Sequence, residues 1–125
     1  MKFWGKVRTK SKRGKSLGFP TANVNLSKNI PEGIYLSITK VGGEKYYGLT
    51  FIGAAKTFNE KKIQAETYIL DFNQNLYGKW ISVEAIKKIR QNKKFSSSDN
   101  LINQMRKDEQ EAREFFKSQL DDNLI

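Results

Sequence analysis

The chain alternates apolar and polar residues in short runs that are separated by turn residues. Such alternation over about four to eight residues is typical of strands that bury one face. The runs that show it, or that are rich in β-branched and aromatic residues, lie at Phe3–Thr9, Gly33–Lys40, Lys45–Ile52, Lys62–Phe72 and Lys79–Ile89. Gly42 and Gly43 predict a tight hairpin, and residues 73–75 predict a further turn. Five or six strands at a spacing of roughly ten residues predict a small antiparallel barrel.

The pattern changes period near the end of the chain and predicts a helix. Ser96 and Asp99, three residues apart, resemble a capping box, so we expect the helix over about residues 98–120. Its apolar face is expected to pack on the barrel as a lid, with docking of a partner helix as the alternative. We therefore predict one domain over residues 1–125, with the barrel at about 1–95. The apolar positions that share one helical face are Leu101, Ile102, Met105, Ala112, Phe115, Phe116 and Leu120.

Composition excludes several kinds of chemistry. The 125 residues include neither cysteine nor histidine, so disulfides, thiolate nucleophiles and imidazole bases are ruled out. Catalysis would have to use carboxylates, lysine, hydroxyl groups or a metal held by oxygen atoms. No stretch approaches the length needed to span a bilayer, so we expect a cytoplasmic protein without a membrane partner. The net charge of +10 fits a nucleic acid, an anionic surface or a phosphorylated small ligand.

A basic, glycine-punctuated loop carries the clearest chemical signal, at residues 13–23 (RGKSLGFPTAN). Gly14 and Gly18 allow backbone amides to approach a phosphate, and Lys15 supplies a point charge. Thr21 and Asn23 offer two neutral oxygens that suit a magnesium ion whose charge is balanced by nucleotide phosphates. The loop is not a P-loop, because threonine stands where that motif requires its first glycine. A plain turn with solvated lysines remains the alternative.

Several segments resemble motifs of the riboflavin kinase family, in the family's order. GKSLGFPTAN, at residues 14–23, resembles the pattern G-R-x-L-G-F-P-T-A-N, and PEGIY at residues 31–35 resembles P-x-G-V-Y. GLTFIGAAKTF at 48–58 resembles G-V-x-N-I-G-x-x-P-T-F. AETYILDFNQNLYG at 65–78 resembles A-x-E-x-H-I-L-D-F-x-x-D-L-Y-G, and IRQNKKF at 89–95 resembles I-R-x-E-x-K-F. The first motif is specific, and the others are individually modest.

The resemblance implies a mainly β fold, a six-stranded antiparallel Greek-key barrel with a C-terminal helix. It implies an enzyme that transfers the γ-phosphate of ATP to the 5′-hydroxyl of the riboflavin ribityl chain, with magnesium, to give FMN. Glu66 would be the catalytic base, and Thr21 and Asn23 would lie at the metal. A flap over residues 90–95 would close on the flavin through Arg90, Asn92 and Phe95. The nucleotide loop would consist of Gly14, Lys15, Gly18, Phe19, Pro20 and Thr21.

The chain departs from the family pattern at several positions. Asn92 replaces the flap glutamate and Gln91 precedes it, so a carboxylate has become an amide. Bacterial members usually carry an adenylyltransferase domain with a histidine motif, which this histidine-free chain does not contain. A stand-alone kinase and a domain of a longer protein both remain open. The other departures are Lys10 for glycine, Lys15 for arginine, Phe51 for asparagine, Lys56 for proline, Tyr68 for histidine and Asn75 for aspartate.

Three functions are therefore considered, with an active riboflavin kinase favoured. The second is a catalytically silent module that binds flavin or nucleotide, which the flap departures suggest. The third is a basic oligonucleotide-binding barrel, suggested by the net charge and by Trp4, Tyr46 and Tyr47, unless those aromatic residues belong to the core. We expect riboflavin, FMN, ATP and ADP as partners, a monomer, and no nucleic acid.

Overall fold

The structure is a computed structural model that confirms the expected fold class. It describes the backbone of residues 1–8, 21–26, 28–57 and 60–123, and the side chains of the same residues other than 55–57, 60–62 and 120–123. Six strands and one helix follow each other along the chain. They are β1 (Lys2–Lys6), β2 (Ala22–Asn25), β3 (Gly33–Val41), β4 (Glu44–Thr57), β5 (Glu60–Ile69), β6 (Trp80–Arg90) and α1 (Ser98–Asn123).

The strands form one antiparallel sheet in the order β1-β6-β3-β4-β5-β2, which curls into a nearly closed barrel. β1 ends earlier than the predicted strand because Val7 leaves the ladder and its N–H binds the carbonyl of Lys79 at 2.9 Å. Arg8 then pairs with Asn23 of β2, its N–H donating to the Asn23 carbonyl at 2.8 Å. The chain thus connects the two outer strands where the barrel comes closest to closing.

The barrel core consists of the side chains on the inner faces of the strands. Alternate residues of a strand point to opposite faces, but the first half of β3 is buried on both faces, from Gly33 to Ser37. The β3–β4 hairpin turns at Gly42 and Gly43, whose φ angles of 57° and 86° suit glycine. The buried apolar cluster includes Phe3, Val24, Tyr35, Ile52, Ala65, Ile69, Leu76, Ile81 and Val83.

Contacts divide the chain into two compact units, residues 1–92 and residues 93–125. α1 lies in the second, and Met105, Asp108, Ala112 and Phe116 are its buried positions. The helix cap differs from the prediction: Ser97, not Ser96, accepts the N–H of Asn100 on its Oγ at 3.1 Å. Ser96 instead accepts a hydrogen bond from the side-chain amide of that asparagine, because two serines precede the helix, which begins at a third, Ser98. No helix among the described residues is both long and apolar enough to cross a bilayer.

Candidate active site

Glu66 occupies a central position on β5, between β2 on one side and β4 on the other. Its cross-strand partners are Asn23 and Phe51. Residues directly opposite each other in an antiparallel pair present their side chains on the same face, so these three form one row across the sheet. Ala65 and Thr67, the neighbours of Glu66 along β5, are buried toward the barrel interior. The row therefore lies on the outer face.

The environment of Glu66 differs from that of an ordinary strand carboxylate. The side chain is half-buried, and desolvation by this burial raises the pKa of Glu66 above its usual value of 4.5. Removal from water disfavours the charged form of a carboxyl group, which is why the direction is upward. A carboxylate with a raised pKa is a stronger proton acceptor than a solvated one.

Two buried side-chain oxygen atoms lie here, one on Asn23 of this row and one on Thr21, the residue that leads into β2. Thr21 is only 4% exposed, and its Oγ1 has no hydrogen-bond partner among the described residues. The Oδ1 atom of Asn23 is likewise buried, and Asn23 faces Glu66 across the strand pair. Burying a hydroxyl group without a hydrogen-bond partner costs free energy. A ligand that accepts a hydrogen bond from the Thr21 hydroxyl, or a metal ion that its oxygen coordinates, would relieve that cost.

The two oxygen atoms of Thr21 and Asn23 that could bind a metal ion carry no formal charge. Among the residues that the structure describes, no three acidic or histidine side chains cluster so as to hold a metal ion by themselves. Neutral threonine and asparagine oxygens suit a hard cation that retains water and gains its other ligands from substrate phosphates. The residues present therefore fit a magnesium ion that is bound together with a nucleotide.

A cavity of about 300 Å³ opens beside Thr21. A volume of roughly this size lies at the lower end for small-molecule sites. Its lining combines apolar side chains with two amides from the segment after β5, so it offers both a dry surface and hydrogen-bonding groups. The lining residues are Val7, Thr21, Ala22, Thr67, Ile69, Phe72, Asn73, Gln74, Leu76 and Tyr77.

A chain of buried hydroxyl groups runs from this cavity into the barrel. Thr67 lines the cavity, and its Oγ1 lies 3.0 Å from that of Thr50. The Thr50 hydroxyl donates in turn to the Oγ of Ser37 at 2.8 Å. All three side chains are almost fully buried, so each depends on its neighbour for a hydrogen bond. These two hydrogen bonds link β5 to β4 and β4 to β3, and they begin at Thr67, the residue after Glu66.

The flap residues predicted to bind flavin divide between the two units. Arg90 ends β6, and Asn92 donates its side-chain amide to the carbonyl of Ile52 on β4 at 3.1 Å. Ile52 follows Phe51, the partner of Glu66, so this bond ties the segment after β6 to the strand next to the row. A glutamate at position 92 could not donate such a bond. Phe95 is half-buried and belongs to the second unit.

Other predicted residues divide into described and undescribed positions. Asn75 accepts the N–H of Tyr77 on its Oδ1 at 3.0 Å, a turn that the family aspartate could form equally well. Tyr68 is half-buried on β5 opposite Leu49. Gly14, Lys15, Gly18, Phe19 and Pro20 of the nucleotide loop lie outside the described residues, as do Lys10 and the side chain of Lys56.

Sequence reasoning missed the cavity lining and the hydroxyl chain. Phe72, Asn73 and Gln74 were interpreted only as a strand end and a turn, although they supply one wall of the cavity. Thr50 and Thr67 carry a weak signal, since each is a hydroxyl residue at an inward position of an otherwise apolar face. The pairing of hydroxyls across three strands depends on register, which the alternation of residues does not reveal.

Comparison with known proteins identifies the family. The riboflavin kinase family model matches residues 1–116. A bifunctional riboflavin kinase/FMN adenylyltransferase from Bacillus subtilis is 42% identical over 113 residues, which are 86% of this chain and 36% of that protein. A riboflavin kinase structure from Trypanosoma brucei aligns with a TM-score of 0.64 and 26% identity over 93% of this chain and 79% of that one.

A second solved structure aligns more closely in backbone. It is described as a macrolide-efflux protein from Streptococcus pneumoniae, and it shares 33% identity and a TM-score of 0.83 over 90% of this chain and 38% of that one. The present chain thus spans little more than a third of the Bacillus relative, which extends well beyond the matched region. The family match over nearly the whole chain agrees with the barrel and with the ordered motifs. The chain belongs to the riboflavin kinase family.

Proposed function

We propose that this chain is a riboflavin kinase that transfers the γ-phosphate of ATP to the ribityl 5′-hydroxyl of riboflavin, giving FMN and ADP. Riboflavin kinases use ATP as the co-substrate. The observation that carries the proposal is the meeting of Asn23 and Glu66 across β2 and β5, beside the buried Thr21 hydroxyl and the cavity. Phosphoryl transfer requires positioning and charge neutralisation more than covalent catalysis, so a site without cysteine or histidine is sufficient.

Glu66 is the proposed general base. Its carboxylate would accept the proton of the ribityl hydroxyl as that oxygen attacks the γ-phosphorus and the bond to the β-phosphate oxygen breaks. The raised pKa supports this role, because a carboxylate that has lost part of its hydration is a better proton acceptor. Its half-buried position also limits the water that could compete with the alcohol.

Thr21 and Asn23 are the proposed protein ligands of magnesium. The metal supplies neutralisation of phosphate charge when it is bound. The Thr21 hydroxyl, which has no hydrogen-bond partner in the described part of the chain, and the buried Asn23 oxygen supply two neutral ligands, which leaves most of the coordination to water and phosphate. The cavity beside Thr21 is the proposed place for the nucleoside end of ATP, with Asn73 and Gln74 as hydrogen-bonding groups.

Gly14, Lys15, Gly18, Phe19 and Pro20 are proposed to complete the phosphate loop, and Arg90, Asn92 and Phe95 to contact the flavin. We also propose a cytoplasmic monomer in which residues 1–125 act as one domain. The absence of cysteine supports the compartment. Sedimentation equilibrium on the full chain gives the mass of a single 14.4 kDa chain if the monomer is correct.

The assay is formation of FMN from riboflavin, ATP and magnesium, followed chromatographically. Excess chelator should abolish turnover. In Asn23→Ala, loss of one ligand should raise the magnesium concentration for half-maximal rate by roughly tenfold or more, judging from the sensitivity of metal sites to their supporting residues. Asn25→Ala is the matched control, because Asn25 is exposed on the same strand. Absence of FMN from the wild-type chain, or equal metal dependence in both variants, contradicts the proposal.

A further inference from the structure

The outer face of β1 and β6 presents two exposed tryptophans. Trp4 lies opposite Ser82 and Lys6 lies opposite Trp80, so Trp80 is the diagonal neighbour of Trp4 on the same face. Trp4 is 58% exposed and Trp80 is 69% exposed. Large aromatic side chains contribute most when they are buried, so two neighbouring exposed indoles indicate a surface that something covers.

Two lysine side chains lie over the Trp4 ring. The Nζ of Lys28 lies 5.2 Å from the centre of this ring, and that of Lys2 lies 5.8 Å from it. The Nζ of Lys28 also donates to the backbone carbonyl of Lys2 at 2.7 Å, which holds the Lys28 side chain against β1. Cation–π contacts of this kind hold the ammonium groups beside the indole.

The same face continues across β3 and β4 into a concave, basic surface. Lys40 pairs with Ser82 of β6 and with Lys45 of β4. Lys2, Lys40 and Lys45 line a depression of about 120 Å³ together with Ile38, Ser82 and Glu84, the only acidic residue in that lining. We name the surface formed by Lys2, Trp4, Lys28, Lys40, Lys45 and Trp80 the basic aromatic face.

We propose that the basic aromatic face binds single-stranded nucleic acid. Every base has a π-face that can stack on an exposed indole, and lysines beside that indole neutralise the adjoining phosphates. Single strands are favoured over duplexes because stacking requires unpaired base faces. The sequence analysis expects no nucleic acid partner, because the family motifs favour a kinase, and it leaves open that the aromatic residues belong to the core. Of the three residues considered, Tyr46 does pack on the core against Phe72, whereas Trp4 does not.

The chemistry of the face disfavours other macromolecules. Protein interfaces are depleted in lysine at their centres, whereas here lysines adjoin both the indole and the depression. Binding to a bilayer surface requires a continuous apolar face that enters the acyl boundary, whereas lysines supply half of the residues that line the depression in this face. The net charge of +10 complements a polyanion.

The basic aromatic face shares no residue with the candidate active site, and the proposal does not rest on kinase activity. None of its six residues is proposed to bind a substrate or the metal or to accept the hydroxyl proton, although Lys28, which follows β2, contacts Trp4 of β1. Loss of oligonucleotide binding should therefore leave the rate of FMN formation unchanged.

The test measures fluorescence anisotropy of a labelled oligothymidylate against the full chain over a range of salt concentrations. Trp4→Ala and Trp80→Ala should each weaken binding by about fivefold or more, as expected when one base no longer stacks. Trp4→Phe keeps a ring and should retain most of the affinity. Both tryptophans are exposed, so circular dichroism should show that the variants remain folded.

A charge-matched pair of variants separates the face from the overall charge. Lys40→Gln/Lys45→Gln and Arg106→Gln/Lys107→Gln each lower the net charge from +10 by two. Arg106 and Lys107 are exposed on α1 and serve as the control. The first pair should reduce the slope of log affinity against log salt by about 1.4, because each phosphate that a lysine neutralises on a single strand adds about 0.7 to that slope. The control pair should leave the slope unchanged.

Three results would overturn the proposal. The first is no saturable binding of the oligonucleotide by the wild-type chain at low salt. The second is equal loss of affinity in both charge-matched pairs, or unchanged affinity in the tryptophan variants. The third is tryptophan-dependent binding to vesicles of anionic phospholipid without binding to the oligonucleotide, which would make a membrane surface the occupant.

Discussion

Two glycines on β4 provide a sharp test of how closely this strand packs against β5. A Cβ atom at Gly48 would overlap the backbone carbonyl oxygen of Tyr68, and would also lie 3.1 Å from the Cα of Ile69. Backbone atoms cannot rotate away as a flexible side chain can, so β5 would have to move. At Gly53 the nearest atom to such a Cβ is the Asn92 side-chain nitrogen at 3.7 Å, an ordinary contact.

We therefore expect Gly48→Ala to be strongly destabilising and Gly53→Ala to be nearly neutral. Overpacking costs about 1 to 3 kcal/mol, and a clash with backbone places Gly48→Ala near about 3 kcal/mol. At about 4 °C per kcal/mol for a chain of this size, its Tm should fall by about 12 °C. Neither glycine has a positive φ, so Gly53→Ala should change stability by no more than about 1 kcal/mol, in the stabilising direction.

Thermal unfolding followed by circular dichroism measures both variants against the wild type. Gly48→Ala should also slow FMN formation, because Tyr68 and Ile69 lie close to Glu66 and line or adjoin the cavity. Equal Tm values for the two variants would refute the close approach of β4 and β5, and with it the register that places Phe51 beside Glu66.

Two further predictions concern Glu66 and Asn92. Because burial raises the pKa of Glu66, the folded protein binds the Glu66 proton more tightly than the unfolded protein does. The contribution of this proton to the free energy of unfolding is fully present below pH 4.5, the ordinary pKa of the group, and is lost as pH rises through the pKa of the folded state. Denaturant titrations should therefore show Glu66→Gln gaining stability relative to wild type as pH rises above 4.5, and a pH-independent difference would contradict the raised pKa. Asn92→Asp removes the side-chain N–H that donates to the Ile52 carbonyl. The KM for riboflavin should rise by about two- to tenfold, which corresponds to the net free energy of one hydrogen bond. Gln91→Asp makes the same charge change at the exposed neighbouring residue and is the control. Equal KM values in the two variants would contradict the role of the Asn92–Ile52 hydrogen bond in riboflavin binding.

The strands were predictable from alternation, but their ends were not. The predicted strand at 45–52 extends to Thr57 because pairing with β5 continues through a run of small residues that shows no alternation. The predicted strand at 62–72 stops at Ile69, since Asp71 adopts a φ of 55° although the apolar pattern continues through Phe72. Local pattern predicts that a segment forms a strand, whereas the pairing partner decides how far the strand runs.

The candidate site depended on the family resemblance rather than on pattern. Glu66 alone resembles any polar residue on the outer face of a strand, and Asn23 lies far from it along the chain. Their proximity arises from the β2–β5 register, which sequence periodicity does not determine. The exposure of Trp80 was equally unpredictable, because tryptophan at the start of a strand is more often partly buried than it is here.

The most direct test of the account is the rate of FMN formation by Glu66→Gln. The amide preserves the shape of the side chain but cannot accept the hydroxyl proton, so kcat should fall by at least about 100-fold, the usual contribution of a general base. Glu32→Gln makes the same change at an exposed loop position and should match the wild type. A Glu66→Gln variant with wild-type kcat would contradict the assignment of the base.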